Sequence, residues 1–301
     1  MPIHHFLYQT DQLESRINNR LERLEQEVSR LNHPTLGSFL NPAPSCTLIP
    51  YGSPSGHYWI QHTGTGYASL EYCDMTRRCC NSRGGWMRVA HLDMIDPNQQ
   101  CPSGFRLITS PKRTCGAQGR RCVSTTFPLN GVKYSSVCGK IIGYQFGSPD
   151  AFHDYYYNRG LTIDDLYVEG VSLTHGQGPR KHIWTFVATV SEDTSILGFA
   201  SCPCTVTTKS YIGVVPPFIG QDYFCDTGTR YQWQPTFYHA DPLWDGSGCG
   251  PTSSCCGFNN PPWFCKQLTQ PTTDDIEMRV CINGPTSNED VALESVEIYV
   301  Q

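Results

Sequence analysis

The stretch DIEMRVCINGPTSNEDVALESVEIYV (residues 275–300) decides the fold class. Its apolar residues recur at every second position: Ile276, Met278, Val280 and Ile282, then Val296, Ile298 and Val300. A period of two is typical of a β-strand with one buried face. The stretch therefore predicts two strands joined as a hairpin through the turn-forming segment 283–290.

The rest of the chain after residue 45 follows the same pattern. Short β-branched and aromatic runs alternate with turn signals, and no helical period longer than a turn or two occurs there. The full chain of 301 residues contains 27 glycines and 22 prolines, and its hydrophobic content is 39%. The sequence predicts a mainly β, disulfide-rich globular part that follows a short N-terminal α-helical coiled coil.

Cysteines are the outstanding feature of the composition. All 16 lie beyond residue 45, and four of them occur in GCGPTSSCCGFNNPPWFC (248–265). One interpretation of these four is a zinc site, formed by Cys249, Cys255, Cys256 and Cys265. They lack, however, the paired Cys-x2–4-Cys spacing of zinc knuckles. Adjacent cysteines, at 255–256 and again at 79–80, point to opposite sides of an extended chain and so suit two different partners. We interpret the cysteines as disulfides.

Disulfides in this number predict an extracellular protein. The first residues, MPIHHFLYQT, contain no secretory signal, so we interpret the numbering as that of a mature chain or a fragment. No apolar run is long enough for a membrane span. The net charge of −5 has no basic block, which argues against nucleic acid as a partner.

Residues 10–33 differ in kind from the rest of the chain. They contain no Gly, Pro or Cys, and their apolar residues form a 3.5-residue repeat: Ile17, Leu21, Leu24, Val28 and Leu31. This heptad seam predicts a coiled-coil oligomerisation helix. The alternative is an amphipathic helix that lies on its own domain.

The segment RLERLE (20–25) bears on the number of chains in the coil. Arg20 at position g and Glu25 at position e match the pattern Arg-apolar-x-x-apolar-Glu, which resembles the trimerisation motif of short coiled coils. Arg20 can reach Glu25 of a neighbouring helix while its methylene stem covers the seam. The pattern predicts a parallel homotrimer, with a dimer as the alternative. The uncharged, proline-rich segment 34–45 is predicted to be a linker.

The region after the linker resembles the first subdomain of fibrinogen-like domains. The resemblance rests on SCTLIPYGSPSGHYWI, LEYCDM and GGWMRV within residues 46–90, and it matches the following residues: Cys46, Ser55, Gly56, Tyr58, Ile60, Tyr72, Cys73, Asp74, Met75, Gly84, Gly85 and Trp86. It implies a disulfide between Cys46 and Cys73 that closes a small antiparallel sheet. The later signatures of that family, which carry its calcium and ligand sites, do not occur here, so those sites are not carried over.

The resemblance also suggests a division of the globular part. Residues 46–145 are assigned to a fibrinogen-like N-terminal subdomain and its extension. Residues 146–301 are assigned to a Cys-rich β domain, which resembles a secreted invertebrate module through segments such as DPLWDGSGCG and CCGFNNPPWFCKQL.

No motif in the sequence indicates catalysis. Gly-x-Ser-x-Gly and His-Glu-x-x-His are absent, and only His175 and His239 stand in polar, loop-like settings. Asp274, Asp275 and Glu277 are calcium candidates by oxygen content alone, without EF-hand spacing, and turn acids or strand caps account for the same pattern. We therefore predict a non-enzyme without a cofactor, and the sequence leaves its ligand-binding residues unknown.

These observations lead to two functional hypotheses. The first is a secreted homotrimeric structural or assembly protein of an extracellular matrix or skeletal scaffold, whose contacts are its own copies and other matrix proteins, glycans or a mineral surface. The alternative is a fibrinogen-related, carbohydrate-binding lectin of recognition or innate defence.

Overall fold

The computed structural model describes residues 3–32, 34–62, 66–117, 121–145, 161–189, 215–220, 222–227, 242–243, 263–282 and 291–301. Within these ranges the chain forms one α-helix, α1 (Ile3–Asn32), and fifteen β-strands. The predicted mainly β, disulfide-rich class with an N-terminal helix is confirmed.

The strands follow one another in chain order as β1 (Gly56–Gln61), β2 (Ala68–Asp74), β3 (Arg78–Cys79), β4 (Ser82–Arg83), β5 (Trp86–Asp93), β6 (Arg106–Ile108), β7 (Thr114–Gly116), β8 (Arg121–Phe127), β9 (Tyr134–Gln145), β10 (Gly170–His175), β11 (Lys181–Thr189), β12 (Tyr223–Thr227), β13 (Phe264–Thr272), β14 (Ile276–Ile282) and β15 (Val291–Val300).

Most strands belong to two sheets that share one hydrophobic core. The larger sheet has the order β1-β2-β5-β15-β7-β6, with β9 also paired to β15 and β13 paired to β9. The smaller sheet has the order β12-β11-β10-β14-β8. Apolar side chains of both sheets form a single buried cluster, which contains Val296 and Ile298 of the larger sheet and Met278 and Val280 of the smaller one.

The two strands of the opening stretch lie in different sheets. β14 pairs with β8 and β10, whereas β15 pairs with β5, β7 and β9. The predicted hairpin between β14 and β15 is therefore wrong. Each strand already has neighbours on both edges, and each is buried along nearly all of its length, so β14 offers no free edge to β15. The connecting residues 283–290 lie outside the described ranges.

The strands themselves and their alternating apolar faces agree with the sequence. Val296, Ile298 and Val300 are at most 1% exposed and belong to the shared core. The pairing of β15 with β9 shifts between Leu293 and Ser295. This irregularity interrupts the strict alternation of faces along the strand. Leu293 before it and Val296 after it therefore both point into the core, although they are three positions apart.

Both sheets contain strands from either side of residue 145. β8 and β9 come before this position, and they pair with β14, β13 and β15, which come after it. The boundary predicted between 46–145 and 146–301 therefore runs through both sheets, and the two segments share one core.

The predicted linker, 34–45, packs along the outer edge of β1. The backbone N–H of Ala43 donates to Trp59 O at 2.9 Å, and the N–H of Trp59 donates to Gly37 O at 2.8 Å. Ala43 is fully buried. Gly37 has φ +89°, and a Cβ at this position would lie 2.5 Å from Ile49 Cδ1, so only glycine fits here. This segment is thus an ordered edge of the globular part.

Five disulfides join the described strands and loops. They are Cys46–Cys73, Cys79–Cys138, Cys80–Cys265, Cys101–Cys115 and Cys122–Cys281. Two of them close sequence separations of 185 and 159 residues, so they tie the N-terminal strands to the C-terminal ones. Cys46–Cys73 is the pair that the fibrinogen-like resemblance implied.

Candidate functional sites: the helix seam and an arginine hairpin

The helix α1 carries an apolar stripe that its own chain leaves uncovered. Every side chain from residue 15 to 29 is exposed. The seam residues Ile17, Leu21, Leu24 and Val28 are 54%, 53%, 56% and 54% exposed. Leu31 continues the helix, but its side chain lies outside the described set. An amphipathic helix resting on its own domain would bury this stripe, so the exposure favours the coiled-coil interpretation.

Arg20 and Glu25 flank the seam on the same helix. Both side chains are exposed. Neither has an ion-pair partner among the described residues of its own chain. Their charges are thus available to a neighbouring helix, as the g and e positions of a coiled coil require.

A second site centres on the short hairpin β3–β4. The residues between its two strands, Cys80 and Asn81, have φ values of +51° and +63°. Two consecutive residues with positive φ are typical of the type I′ turn that closes two-residue hairpins. The hairpin therefore reverses direction at Cys80, whose neighbour in sequence, Cys79, lies on β3.

The adjacent cysteines attach this hairpin to two strands of the larger sheet. Cys79 bonds to Cys138 of β9, and Cys80 bonds to Cys265 of β13. Cys138 and Cys265 are direct partners in the β9–β13 register. The prediction that residues 79 and 80 take two different partners is confirmed, although a tight turn separates their directions here rather than an extended chain.

Beside the hairpin, Arg77 is held between two aromatic rings. Its guanidinium carbon lies 3.9 Å from the ring centroid of Trp263 and 4.2 Å from that of Tyr299. Its Nε donates to Asp74 Oδ2 at 2.9 Å, and its Nη2 lies 3.5 Å from Glu297 Oε2. Arg77 is thus neutralised and stacked, an arrangement in which cation–π contacts add to the ion pairs.

The same surroundings shift two pKa values. Burial alone would raise the pKa of Asp74, but hydrogen bonds from Thr76 and the charge of Arg77 outweigh it and hold that pKa below its ordinary range. Burial, together with a hydrogen bond to Glu297, raises the pKa of Tyr299 to about 12. Asp74 is therefore ionised and Tyr299 protonated at neutral pH.

Two clefts flank the hairpin. One, of about 370 Å³, is lined by Arg78, Arg83 and Trp263 among others. The other, of about 320 Å³, is lined by Tyr51 together with Ser82 and Arg83, which face both clefts.

Comparison of the sequence with known protein families and curated proteins finds no match. Within the described ranges, no helix is both long enough and apolar enough to cross a membrane.

The calcium candidates point to different partners. Asp274 Oδ2 lies 2.8 Å from His175 Nδ1, whereas Asp275 Oδ1 accepts a hydrogen bond of 2.8 Å from the N–H of Leu129. Glu277 accepts a hydrogen bond from Arg180. No metal-binding group of three or more His, Cys, Asp or Glu residues occurs among the residues that the structure describes. The hydrogen bond from His175 lowers the pKa of Asp274, so this carboxylate acts as the anionic partner of a buried histidine.

A further polar cluster surrounds Glu294 of β15. The hydroxyl of Tyr144 donates to Glu294 Oε2 at 2.6 Å, and Lys112 Nζ lies 3.2 Å from Glu294 Oε1. Burial would lower the pKa of Lys112, but its hydrogen bonds to Tyr144 and Glu294 raise it instead. The lysine stays charged, so the cluster is a closed ion pair rather than a nucleophile with a base.

The remaining sequence candidates divide into two groups. Cys265 is bonded to Cys80, which removes it from the alternative zinc set. Cys249, Cys255, Cys256 and His239 lie outside the described residues.

The arginine hairpin is a candidate functional feature that was not predicted from the sequence. Its signal is RRCCNSR (77–83), with three arginines around two adjacent cysteines and an asparagine that tolerates positive φ. Read together, those residues predict a tight hairpin that displays two arginines.

Proposed function

We propose that the protein is a secreted, non-catalytic homotrimer that serves as a structural or assembly unit of an extracellular matrix or skeletal scaffold. The observation that carries the proposal is the apolar seam of α1, four residues of which are each more than half exposed. The seam from Ile17 to Leu31 covers about 20 Å of the helix, and an apolar stripe of this length needs a partner helix to cover it.

The choice of a trimer rests on Arg20 and Glu25. In a parallel trimer the arginine stem covers the edge of a seam wider than that of a dimer, and its guanidinium reaches the glutamate of the next helix. Both side chains are exposed, as this arrangement requires.

The disulfides support the proposed location outside the cell. Ten cysteines form five bonds among the described residues, and this density is typical of proteins that fold in an oxidising compartment. The Cys46–Cys73 bond joins the short helical turn at Cys46–Leu48 to the end of β2, beside the antiparallel strands β1 and β5. This bond and its neighbouring strands support the fibrinogen-like interpretation of residues 46–90.

The proposal is tested by the mass of the intact chain in solution. We expect light scattering and native mass spectrometry to give three chains per particle, and the Leu24→Asp variant to give one chain with its disulfides intact. Gln26→Asp is the matched control, because it adds the same charge to the same exposed helix at position f, away from the seam, and it should stay trimeric.

Three outcomes would contradict all or part of this proposal. A wild-type monomer would show that the seam is not an oligomerisation surface. A Leu24→Asp variant that remains trimeric would place the association in the globular part. A wild-type dimer that Leu24→Asp dissociates would keep the seam but reject the trimer.

A further inference from the structure

We propose that the β3–β4 hairpin is a binding site for an acidic polysaccharide, in which Arg78 and Arg83 hold sulfate or carboxylate groups and sugar rings lie against Trp263 and Tyr51. The inference deepens the proposed function, because an extracellular matrix location brings the protein among such polymers.

The hairpin carries an uncompensated pair of like charges. Arg78 and Arg83 are directly opposite each other in the hairpin register, and both are exposed. Cross-strand partners have Cβ atoms about 5 Å apart, and like charges at that separation destabilise a hairpin. Neither arginine has an ion-pair or hydrogen-bond partner among the described residues. A bound anion would remove this repulsion.

The two carboxylates that contact Arg77, the residue directly before β3, are already engaged. Asp74 and Glu297 both contact Arg77, and Lys140 lies directly opposite Glu297 on β9. The charges of Arg78 and Arg83 are therefore not balanced by these carboxylates, although the chain as a whole has a net charge of −5.

An aromatic residue lines each of the two clefts at the hairpin. Trp263 is 36% exposed and lines one cleft, and Tyr51 is 95% exposed and lines the other. Arg83 lines both clefts, so the two are linked across the hairpin. Aromatic rings in two clefts that share Arg83 suit a polymer with apolar sugar faces and spaced negative charges, whereas a single small ion would contact only the arginines.

The hairpin is held rigidly on the larger sheet. Two disulfides hold the hairpin on the larger sheet, and Gly84 fixes the chain directly after β4, since a Cβ there would lie 2.1 Å from Met75 O. The guanidiniums are therefore presented from a fixed base, which reduces the entropy lost on binding. In a trimer, three such hairpins would engage one polymer with added avidity.

Calorimetric titration of the full chain with a heparin hexasaccharide tests the inference. In the double variant Arg78→Gln/Arg83→Gln, we expect the Kd to rise about tenfold or more, because two charge-assisted contacts are lost. The control is Arg16→Gln/Arg23→Gln, which removes two exposed charges from position c of the helix and should leave the Kd within about twofold.

A further variant tests the aromatic contact. Tyr51→Ala removes a side chain that is almost wholly exposed, so the fold should not change, and the Kd should rise about threefold to tenfold. A hyaluronan hexasaccharide, which carries carboxylates only, separates the two anions. Binding to heparin alone assigns the site to sulfate, and binding to both shows that carboxylate suffices.

Several results would overturn the inference. These are no binding, an unchanged Kd in Arg78→Gln/Arg83→Gln, an equal loss in the helix control, or equally tight binding of a single-stranded oligonucleotide with the same number of charges. The same titration with Leu24→Asp separates this inference from the trimer, because the affinity per chain for a hexasaccharide does not depend on association. A monomeric wild type with intact binding would reject only the trimer, whereas a trimer without binding would reject only the hairpin site.

Discussion

The half-buried imidazole of His182 should make the protein sensitive to acid. His182 Nε2 lies 2.6 Å from Thr185 Oγ1, and the ring packs edge-on against Phe218. Its Nδ1 is buried without a hydrogen-bond partner in the part of the chain that the structure describes. Burial, reinforced by the charge of Lys266, lowers the pKa of His182 to about 3.

The size and sign of the effect follow from this pKa. An unfolded histidine titrates near pH 6.5, so between about pH 6.5 and 3 the unfolded chain binds a proton that the folded chain refuses. The stability is therefore complete above pH 6.5 and decreases as the pH falls through this window. At pH 4.5 the loss from this residue is about 3 kcal/mol, because each pH unit below 6.5 corresponds to about 1.4 kcal/mol.

The measurement compares the free energy of unfolding at pH 7 and pH 4.5 for wild type and for His182→Gln, with disulfides intact and protein concentration fixed. Glutamine does not titrate and can still hydrogen-bond Thr185, so the variant should lose about 3 kcal/mol less than wild type over this range. His91→Gln, at an exposed position on β5, serves as the control and should follow wild type. Equal losses in wild type and His182→Gln would refute the reasoning, since they would mean that the folded imidazole accepts the proton.

Three further predictions concern the covalent and polar contacts of the fold. Cys265→Ser removes a disulfide that spans 185 residues and should lower the free energy of unfolding by about 5 kcal/mol. Cys115→Ser removes one that spans only 14 residues and should lower it by about 3 kcal/mol. Thiol titration should find one new free thiol in each variant. Asp74→Asn should lower the free energy of unfolding by about 1 to 3 kcal/mol at pH 7. Because the pKa of Asp74 is lower in the folded chain than in the unfolded chain, the difference between variant and wild type should become smaller as the pH falls below 4. Arg279→Met should cost about 3 kcal/mol and expose segment 161–168 to proteolysis, because the Arg279 guanidinium donates to three carbonyl oxygens of that segment.

The strands could be predicted from the sequence, but their neighbours could not. Alternation located β14 and β15 because each keeps a regular apolar face toward the core. The same pattern suggested that the intervening residues face solvent, as in a simple hairpin. In β14, however, Arg279 is 5% exposed, and its guanidinium donates to the backbone carbonyl oxygens of segment 163–165. A polar residue at an alternate position therefore does not identify a solvated face when another segment covers it.

The helix seam and the arginine hairpin differ in how far the sequence reveals them. The seam is a local pattern, so its spacing alone predicted the exposed stripe of α1. The hairpin depends on partners far away in the chain, since Cys80 bonds to Cys265 and Arg77 stacks on Trp263. Spacing within 77–83 carries no information about those partners.

The disulfides explain how a hairpin with opposed arginines persists. Strands of two residues each are too short to be stable alone, and the charges of Arg78 and Arg83 repel each other across the register. The two bonds from Cys79 and Cys80 hold the hairpin on β9 and β13 in spite of this repulsion. The disulfides therefore do more than stabilise the fold. They allow it to present a charge arrangement that packing alone would not maintain, and such an arrangement gains most from a bound anion.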